Sequence, residues 1–396
     1  MYKSNYIFNI KFNFNFKKII ILFLLFLIFF LKPNIKAEEE IIDDSLSAIL
    51  IEAKSGKIIY EKDKDKRLYP ASMTKIMTMT LTMEAIKNNI FTLNDTAIAS
   101  KHAKSMGGTT IFLDENEEMK IEDLLKGVAI ASGNDAAVTL AEKIAQTEKN
   151  FVSKMNEKVK SLNLNNTNFE NATGLFSKNH YSSSYDIAMM SKYLINNYPE
   201  ILNYTKIYDD YLRKGQKNEV WLVNTNKLVK NYPGIDGLKT GYLSESGYCL
   251  SATMEKNNIR LIAVVMGAKT IESRNNQIIR LLEYGFNNYN FNTYKTTKTE
   301  VSNYYNILMY PHNNKIILKE DIILLEKKTD KLDNITEEYQ INEEKIKNNE
   351  EIIGKLIIYH DNNIYGEYDL IFSNKTKKAN FFQIFLEVLK NILNLN

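Results

Sequence analysis

The chain has 396 residues, of which 44% are hydrophobic and 25% charged; this suits two or three packed domains and excludes a disordered chain. Its 51 Lys+Arg against 48 Asp+Glu leave a formal charge of +3, without the basic excess that nucleic-acid binding requires. One cysteine excludes an intrachain disulfide and a cysteine-based zinc site, and 5 prolines with 15 glycines exclude collagen-like or Pro/Gly-rich chains.

Residues 1–37 hold six lysines and no acid, and Lys17 and Lys18 precede an apolar run of 13 residues, Ile19 to Leu31. Pro33 and a short stretch to Ala37 follow. A basic start, an apolar middle and a small residue at the end are the layout of a secretory signal peptide. The run is short for a spanning helix, which needs about 20 residues. An uncleaved N-terminal anchor is the alternative, and either places the bulk of the chain outside the cytoplasm. Loss of the six lysines takes the formal charge from +3 to −3.

Ser47–Ala53 and Ile58–Tyr60 flank Lys54-Ser55-Gly56-Lys57 and predict a β-hairpin. Residues 72–88 are ambiguous. Met77-Thr78-Met79-Thr80-Leu81-Thr82-Met83 alternates like a strand, whereas Pro70 followed by Ser72 signals a helix start. Residues 120–146 read as helix, loop, helix, broken at Ser132-Gly133-Asn134-Asp135. Further helices are expected at 151–163, 185–197 and 274–284, and strands at Val220–Val223, Gly247–Met254 and Ile259–Met266. This order predicts an α+β fold, a largely antiparallel sheet with a helical insertion.

Beyond about residue 290, Lys, Asn, Thr and Glu dominate, and short apolar runs recur at Lys315–Lys319, Asp321–Leu325, Ile353–Tyr359 and Tyr365–Phe372. A small β-rich domain is expected. The last stretch, Lys377 to Asn396, repeats Phe381, Phe385, Val388, Leu389 and Ile392 at helical spacing, with Lys375, Lys377, Lys378 and Lys390 around a lone Glu387. That pattern suits a helix lying in a membrane surface, or one docked on its own protein. The expected domains are therefore 1–37, 38–290, 291–375 and 376–396.

The sequence contains no His-Glu-x-x-His, no Gly-x-Ser-x-Gly and no phosphate-cradling glycine loop. His102, His180, His312 and His360 are scattered and read as surface residues. Ser72-Met-Thr-Lys75 stands out, because no other serine has lysine three positions on. On a helix those two side chains share a face. A serine hydroxyl becomes a nucleophile when a base takes its proton, and lysine can be that base once burial or a second cation lowers its pKa. Ser132-Gly-Asn134 lies 60 residues after Ser72, between two helices, and Lys239-Thr-Gly241 lies 167 residues after it, just before a strand on a sheet edge. Each motif is weak alone: Ser161, Ser177 and Ser273 also begin Ser-x-Asn, and Lys54-Ser-Gly56 matches the third. Their order and context carry the signal.

On these residues the chain resembles the low-molecular-mass penicillin-binding proteins, the D-alanyl-D-alanine carboxypeptidases of peptidase family S11. The likeness includes Tyr69-Pro-Ala-Ser-Met-Thr-Lys75, Ala131-Ser-Gly-Asn-Asp-Ala136, Asn171-Ala-Thr-Gly-Leu175 and Tyr181–Asp186. It continues through Asp236-Gly-Leu-Lys-Thr-Gly-Tyr242, Gly247-Tyr-Cys-Leu250, Val265-Met-Gly-Ala268 and Arg274. It covers residues 40–290 well and is one of layout beyond. It implies the transpeptidase fold shared with serine β-lactamases, followed by a β-rich domain and a C-terminal anchor.

The resemblance also implies a reaction. Ser72 would be acylated by the penultimate D-alanine of a peptidoglycan stem peptide, and by penicillins. Lys75 would be its base, and Ser132 would pass the proton to the leaving amine. Asn134 would hold the peptide; Lys239, Thr240 and Arg274 would receive the terminal carboxylate. Gly241 completes the third motif, and the backbone N–H groups of Ser72 and Tyr242 would form the oxyanion hole. No metal or organic cofactor is implied. The middle residue of the second motif is Gly133, as in the carboxypeptidases, and the Glu-x-x-Leu-Asn stretch of class A β-lactamases is missing. A cross-link-cleaving endopeptidase, a β-lactamase and a non-catalytic wall-binding protein are the alternatives. Cys249 is either a redox-sensitive thiol by the cleft or a small buried residue.

Overall fold

The structure is a computed structural model, and it describes residues 41–329 and 332–393. The signal segment, 1–37, lies outside the described residues.

Two strands, β1 (Ser47–Glu52) and β2 (Ile58–Lys62), form the expected hairpin. They are followed by a short 3-10 turn, Ala71–Thr74, which runs directly into helix α1 (Lys75–Lys87). The ambiguity at 72–88 is thus resolved as helix. The alternation of Met and Thr misleads because α1 is buried on nearly all sides, so no polar face marks the helical period. Thr80 and Thr82 satisfy their hydroxyls by donating to the carbonyls of Ile76 (2.7 Å) and Thr78 (2.8 Å), one turn back.

Helix α2 (Ile121–Lys126) continues into a wide π-turn, Gly127–Ala131, and stops at Ser132, whose φ of +68° reverses the chain. Helix α3 (Asn134–Ala145) starts two residues later, and α4 (Glu148–Ser161) and α5 (Ser184–Asn197) complete the helical layer. Strands β3 (Ile235–Leu243), β4 (Gly247–Lys256) and β5 (Ile259–Ala268) then join the hairpin. The sheet is antiparallel throughout, in the order β2-β1-β5-β4-β3. Lys239-Thr-Gly241 therefore lies inside edge strand β3 rather than before a strand. Val220–Val223 is not part of this sheet; it pairs with Asp209–Leu212 in a separate ribbon. Helix α6 (Ile271–Asn288) packs behind the sheet. One apolar core joins Ile49, Ile51, Val264 and Met266 of the sheet to Met73 of the 3-10 turn and Met77 and Met79 of α1.

Past α6, a second antiparallel sheet has the order Glu300–Tyr305, Asn313–Leu318, Asn363–Phe372, Gly354–His360, Ile335–Ile341. It has its own core around Ile316, Leu318, Leu356, Ile358 and Leu370. Helix α7 (Phe381–Leu393) buries none of its residues.

Candidate active site

The site forms where three segments converge: the 3-10 turn before α1, the break before α3, and edge strand β3. Ala71, with φ +48°, throws the chain into the turn that carries half-buried Ser72. Two glycines allow this turn to be approached closely. A Cβ on Gly174 would fall 1.8 Å from the Ala71 carbonyl oxygen, and one on Gly241 would lie 2.6 Å from that of Pro70. Gly174 also has φ +84°, a conformation that side-chain-bearing residues avoid.

Lys75 begins α1 and is fully buried. Its Nζ lies 3.0 Å from Ser72 Oγ, 2.6 Å from Asn134 Oδ1 and 2.8 Å from the Thr173 carbonyl. Asn134 donates from Nδ2 to the Gly107 carbonyl at 2.6 Å, so its oxygen faces the lysine. A neutral amine has two N–H donors and one lone pair. The Asn134 and Thr173 oxygens can only accept, and they take both donors. The lone pair is left for the Ser72 hydroxyl hydrogen. Electrostatics favour that state: burial pushes Lys75 well below the usual ammonium range, the charge of Lys239 adds to the effect, and Asp135 opposes it.

Lys239 and Thr240 are buried on β3. Burial, and then the neighbouring Arg274 guanidinium, lower Lys239 to about 7. Its Nζ donates to the Thr240 carbonyl, at 3.2 Å, and Thr240 Oγ1 donates to Thr225 Oγ1 at 2.8 Å. Arg274, in the first turn of α6, is 4% exposed and is lowered to about 10 by burial. It bonds to Asn275 Oδ1 and, among the described residues, has no carboxylate partner. Two buried basic groups that, among the described residues, have no carboxylate partner have the chemistry to receive an anionic group. The Tyr242 ring is half out in solvent, stacked on Tyr248 at 4.4 Å, so the phenol belongs to the rim. Ser132 is buried at the break, and among the described residues its hydroxyl has no hydrogen-bond partner.

Several contributors were not foreseen. The Thr173 carbonyl carries no sequence signal as a lysine acceptor. It is aimed by Asn171, whose Oδ1 accepts from the N–H of Thr173 (3.1 Å) and Gly174 (2.7 Å); the Asn-x-x-Gly spacing is a readable turn signal. Asp135 accepts from the N–H groups of Ile111, Leu113 and Ala136 and so fixes the loop that supplies the Gly107 carbonyl. His180 corrects the expectation that the histidines are surface residues. It is 2% exposed and hydrogen-bonded to Thr74. Cys249 is fully buried, and burial pushes its thiol up to about 11; it is a packing residue, not a reactive one.

Residues 34–270 match the family model described as D-alanyl-D-alanine carboxypeptidase, Peptidase S11. The chain belongs to that family. D-alanyl-D-alanine carboxypeptidase DacF of Bacillus subtilis is 42% identical over 359 residues, which is 89% of this chain and 91% of the relative. Penicillin-binding protein 5 of Haemophilus influenzae superposes with a TM-score of 0.71 at 29% identity, covering 85% of this chain and 98% of that one. Penicillin-binding protein D2 of Listeria monocytogenes, solved in its cefotaxime-bound form, is 31% identical with a TM-score of 0.56, covering 61% of this chain and 97% of that one. The family membership agrees with the α+β transpeptidase fold described above.

Proposed function

We propose that the protein is a serine-type D-alanyl-D-alanine carboxypeptidase of peptidoglycan. The observation that carries this reading is the bonding of Lys75, whose two fixed acceptors leave its lone pair for Ser72. Ser72 Oγ attacks the carbonyl of the penultimate D-alanine as its proton moves to Lys75 Nζ. The tetrahedral adduct collapses, the peptide C–N bond breaks, and the leaving nitrogen takes a proton by way of Ser132. Water then attacks the acyl ester, giving the shortened peptide and restoring the Ser72 hydroxyl. Asn134 holds the peptide backbone, and Lys239, Thr240 and Arg274 receive the terminal carboxylate. Backbone N–H groups of Ser72 and Tyr242 stabilise the oxyanion, a service typically worth about 3–4 kcal/mol per donor. The close approach of Gly241 to the Pro70–Ala71 backbone supports this pairing of segments.

A β-lactam would acylate Ser72 by the same attack on its ring amide, and the cefotaxime-bound relative supports that extension. Action on the wall side of the membrane follows from the substrate and from the signal layout of residues 1–37. Among the described residues no helix is long and apolar enough to cross a membrane. Helix α7 would attach the protein by lying in the surface. It exposes Phe381, Phe385 and Ile392 and lies among Lys375, Lys377, Lys378 and Lys390. The units proposed are a catalytic domain, 38–290, a β-rich domain, 291–375, and an anchor, 376–396.

The deciding experiment is intact-mass spectrometry of the full chain with penicillin, beside D-alanine release from a stem pentapeptide. A covalent adduct and free D-alanine are expected from the wild type, and neither from Ser72→Ala. A Ser72→Ala protein that still forms the adduct refutes the assignment.

A further inference from the structure

We propose that His180 is a positioning residue for the nucleophile: through Thr74 it ties the turn carrying Ser72 and Lys75 to the segment whose Thr173 carbonyl receives the lysine. The inference uses the carboxypeptidase reading for its assay.

The geometry is specific. Thr74 lies immediately before Lys75 and two residues after Ser72. His180 Nδ1 accepts from the backbone N–H of Glu170 at 3.1 Å, so the ring hydrogen sits on Nε2. Nε2 then donates to Thr74 Oγ1 at 2.7 Å. Glu170 directly precedes Asn171, whose side chain forms the turn presenting the Thr173 carbonyl. One imidazole thus spans both halves of the Lys75 environment, the turn bearing the base and the turn bearing its acceptor. A slip between them would misdirect the lysine lone pair away from Ser72. The Phe169 ring, 5.5 Å away and edge-on, closes one side of the imidazole.

This bridge needs a neutral ring. Burial lowers His180 to about 4, and the Glu170 carboxylate works weakly against that. Glu170 belongs to the segment the ring grips and is itself held by Ser177 and the Asn179 N–H. From the nucleophile turn the ring meets Thr74, with Lys75, whose pKa burial pushes well below the usual ammonium range, next in the chain. Protonation would place an Nδ1–H against the Glu170 N–H, two donors face to face. The histidine is depressed in the folded state, so the bridge contributes fully above the ordinary histidine range and is lost as pH falls toward 4.

The test uses the full chain in detergent, measuring acylation by a fluorescent penicillin together with kcat and KM for D-alanine release. His180→Ala is expected to lower acylation and kcat by about tenfold or more, as the loss of a buried, charge-free hydrogen-bond bridge does, with KM changing by less than about twofold. His180→Gln is expected to recover to within about threefold, because a carboxamide presents an acceptor and a donor at similar spacing. Thr74→Val, which keeps the side-chain volume, should lose as much as His180→Ala, and the double variant should be no worse than either. Nitrogen NMR should show His180 as the neutral Nε2–H tautomer from pH 5 to 8. Wild-type rates in His180→Ala or Thr74→Val, a glutamine variant no better than alanine, or titration near 6.5 would each overturn the proposal. If His180→Ala does not fold, Thr74→Val and the NMR decide. A wild type that never acylates overturns the carboxypeptidase reading instead, and the NMR still judges the bridge.

Discussion

Lys75 Nζ donates a 2.6 Å hydrogen bond to Asn134 Oδ1, and Asn134 Nδ2 donates onward, also at 2.6 Å, to the Gly107 carbonyl. The asparagine is therefore oriented by a backbone carbonyl before any substrate arrives. It offers the lysine an acceptor without offering it a counter-charge. A carboxylate in the same place would hold the ammonium form.

Asn134→Asp tests that distinction. The added negative charge should raise the Lys75 pKa, so the acid limb of the acylation rate moves to higher pH. At pH 7 the rate should fall about a hundredfold, equivalent to about 3 kcal/mol. Rate–pH profiles with a fluorescent penicillin check this; an unmoved limb would show that Asn134 does not set the lysine's charge.

Lys239 gives a stability prediction with a definite sign. Burial and Arg274 hold it near 7 in the folded protein, whereas an unfolded lysine titrates near 10.4. Between those values the unfolded chain binds a proton that the folded chain does not, so stability rises with pH across about 7 to 10. Below 7 the folded protein carries the full cost of a buried charge. Lys239→Met should therefore stabilise by about 4 kcal/mol at pH 6 and by much less at pH 9, while losing carboxypeptidase activity. Denaturant melts at both pH values give the comparison.

Two glycines bordering the site separate a crowded backbone position from an open one. Gly174→Ala drives a methyl group into the Ala71 carbonyl and forces an alanine to φ +84°. Acylation should fall at least about tenfold and stability by about 3 kcal/mol. A Cβ at Gly107 meets nothing within 4 Å, so Gly107→Ala should leave both near wild type. Equal behaviour of the two variants would contradict the close approach at Gly174.

The terminal helix gives a test of attachment. Deleting residues 377–396 removes Phe381, Phe385 and Ile392, all exposed, together with Lys377, Lys378 and Lys390. The shortened protein should leave the membrane fraction, and its co-sedimentation with anionic vesicles should drop while penicillin acylation persists. A protein that still pellets is held by residues 1–37.

Some of the site was legible because the reacting groups are side chains at fixed sequence offsets. Ser72 and Lys75, one helical turn apart, needed only a helical start at Pro70 to be neighbours. The Ser-Gly-Asn break between two helices was visible as an interruption of apolar pattern, whereas Lys-Thr-Gly reads as lying just before a strand and in fact lies inside edge strand β3. The hairpin, the main helices after residue 120 and the strands Asn313–Leu318, Ile322–Lys327, Gly354–His360 and Asn363–Phe372 followed from ordinary periodicity, whereas the polar strands Tyr289–Lys295, Glu300–Tyr305 and Ile335–Ile341 did not. Helix α1 did not, because burial all round erases the polar face on which that reading depends. His180 was misread for a related reason. A polar residue that donates and accepts inside the protein has the same letter as one in solvent, and only its partners, Thr74 and the Glu170 N–H, tell them apart.

By itself the sequence determined which groups are present and in what order: a lone Ser-x-x-Lys, a second serine with an asparagine, a lysine on an edge and a late arginine. Tertiary structure decided their charge and aim. The carbonyl of Thr173, contributed from 98 positions beyond Lys75, accepts a hydrogen bond from its Nζ, and burial with Lys239 nearby disfavours the ammonium form. Backbone carbonyls have no side-chain identity to read, and desolvation exists only once the chain has closed around the group.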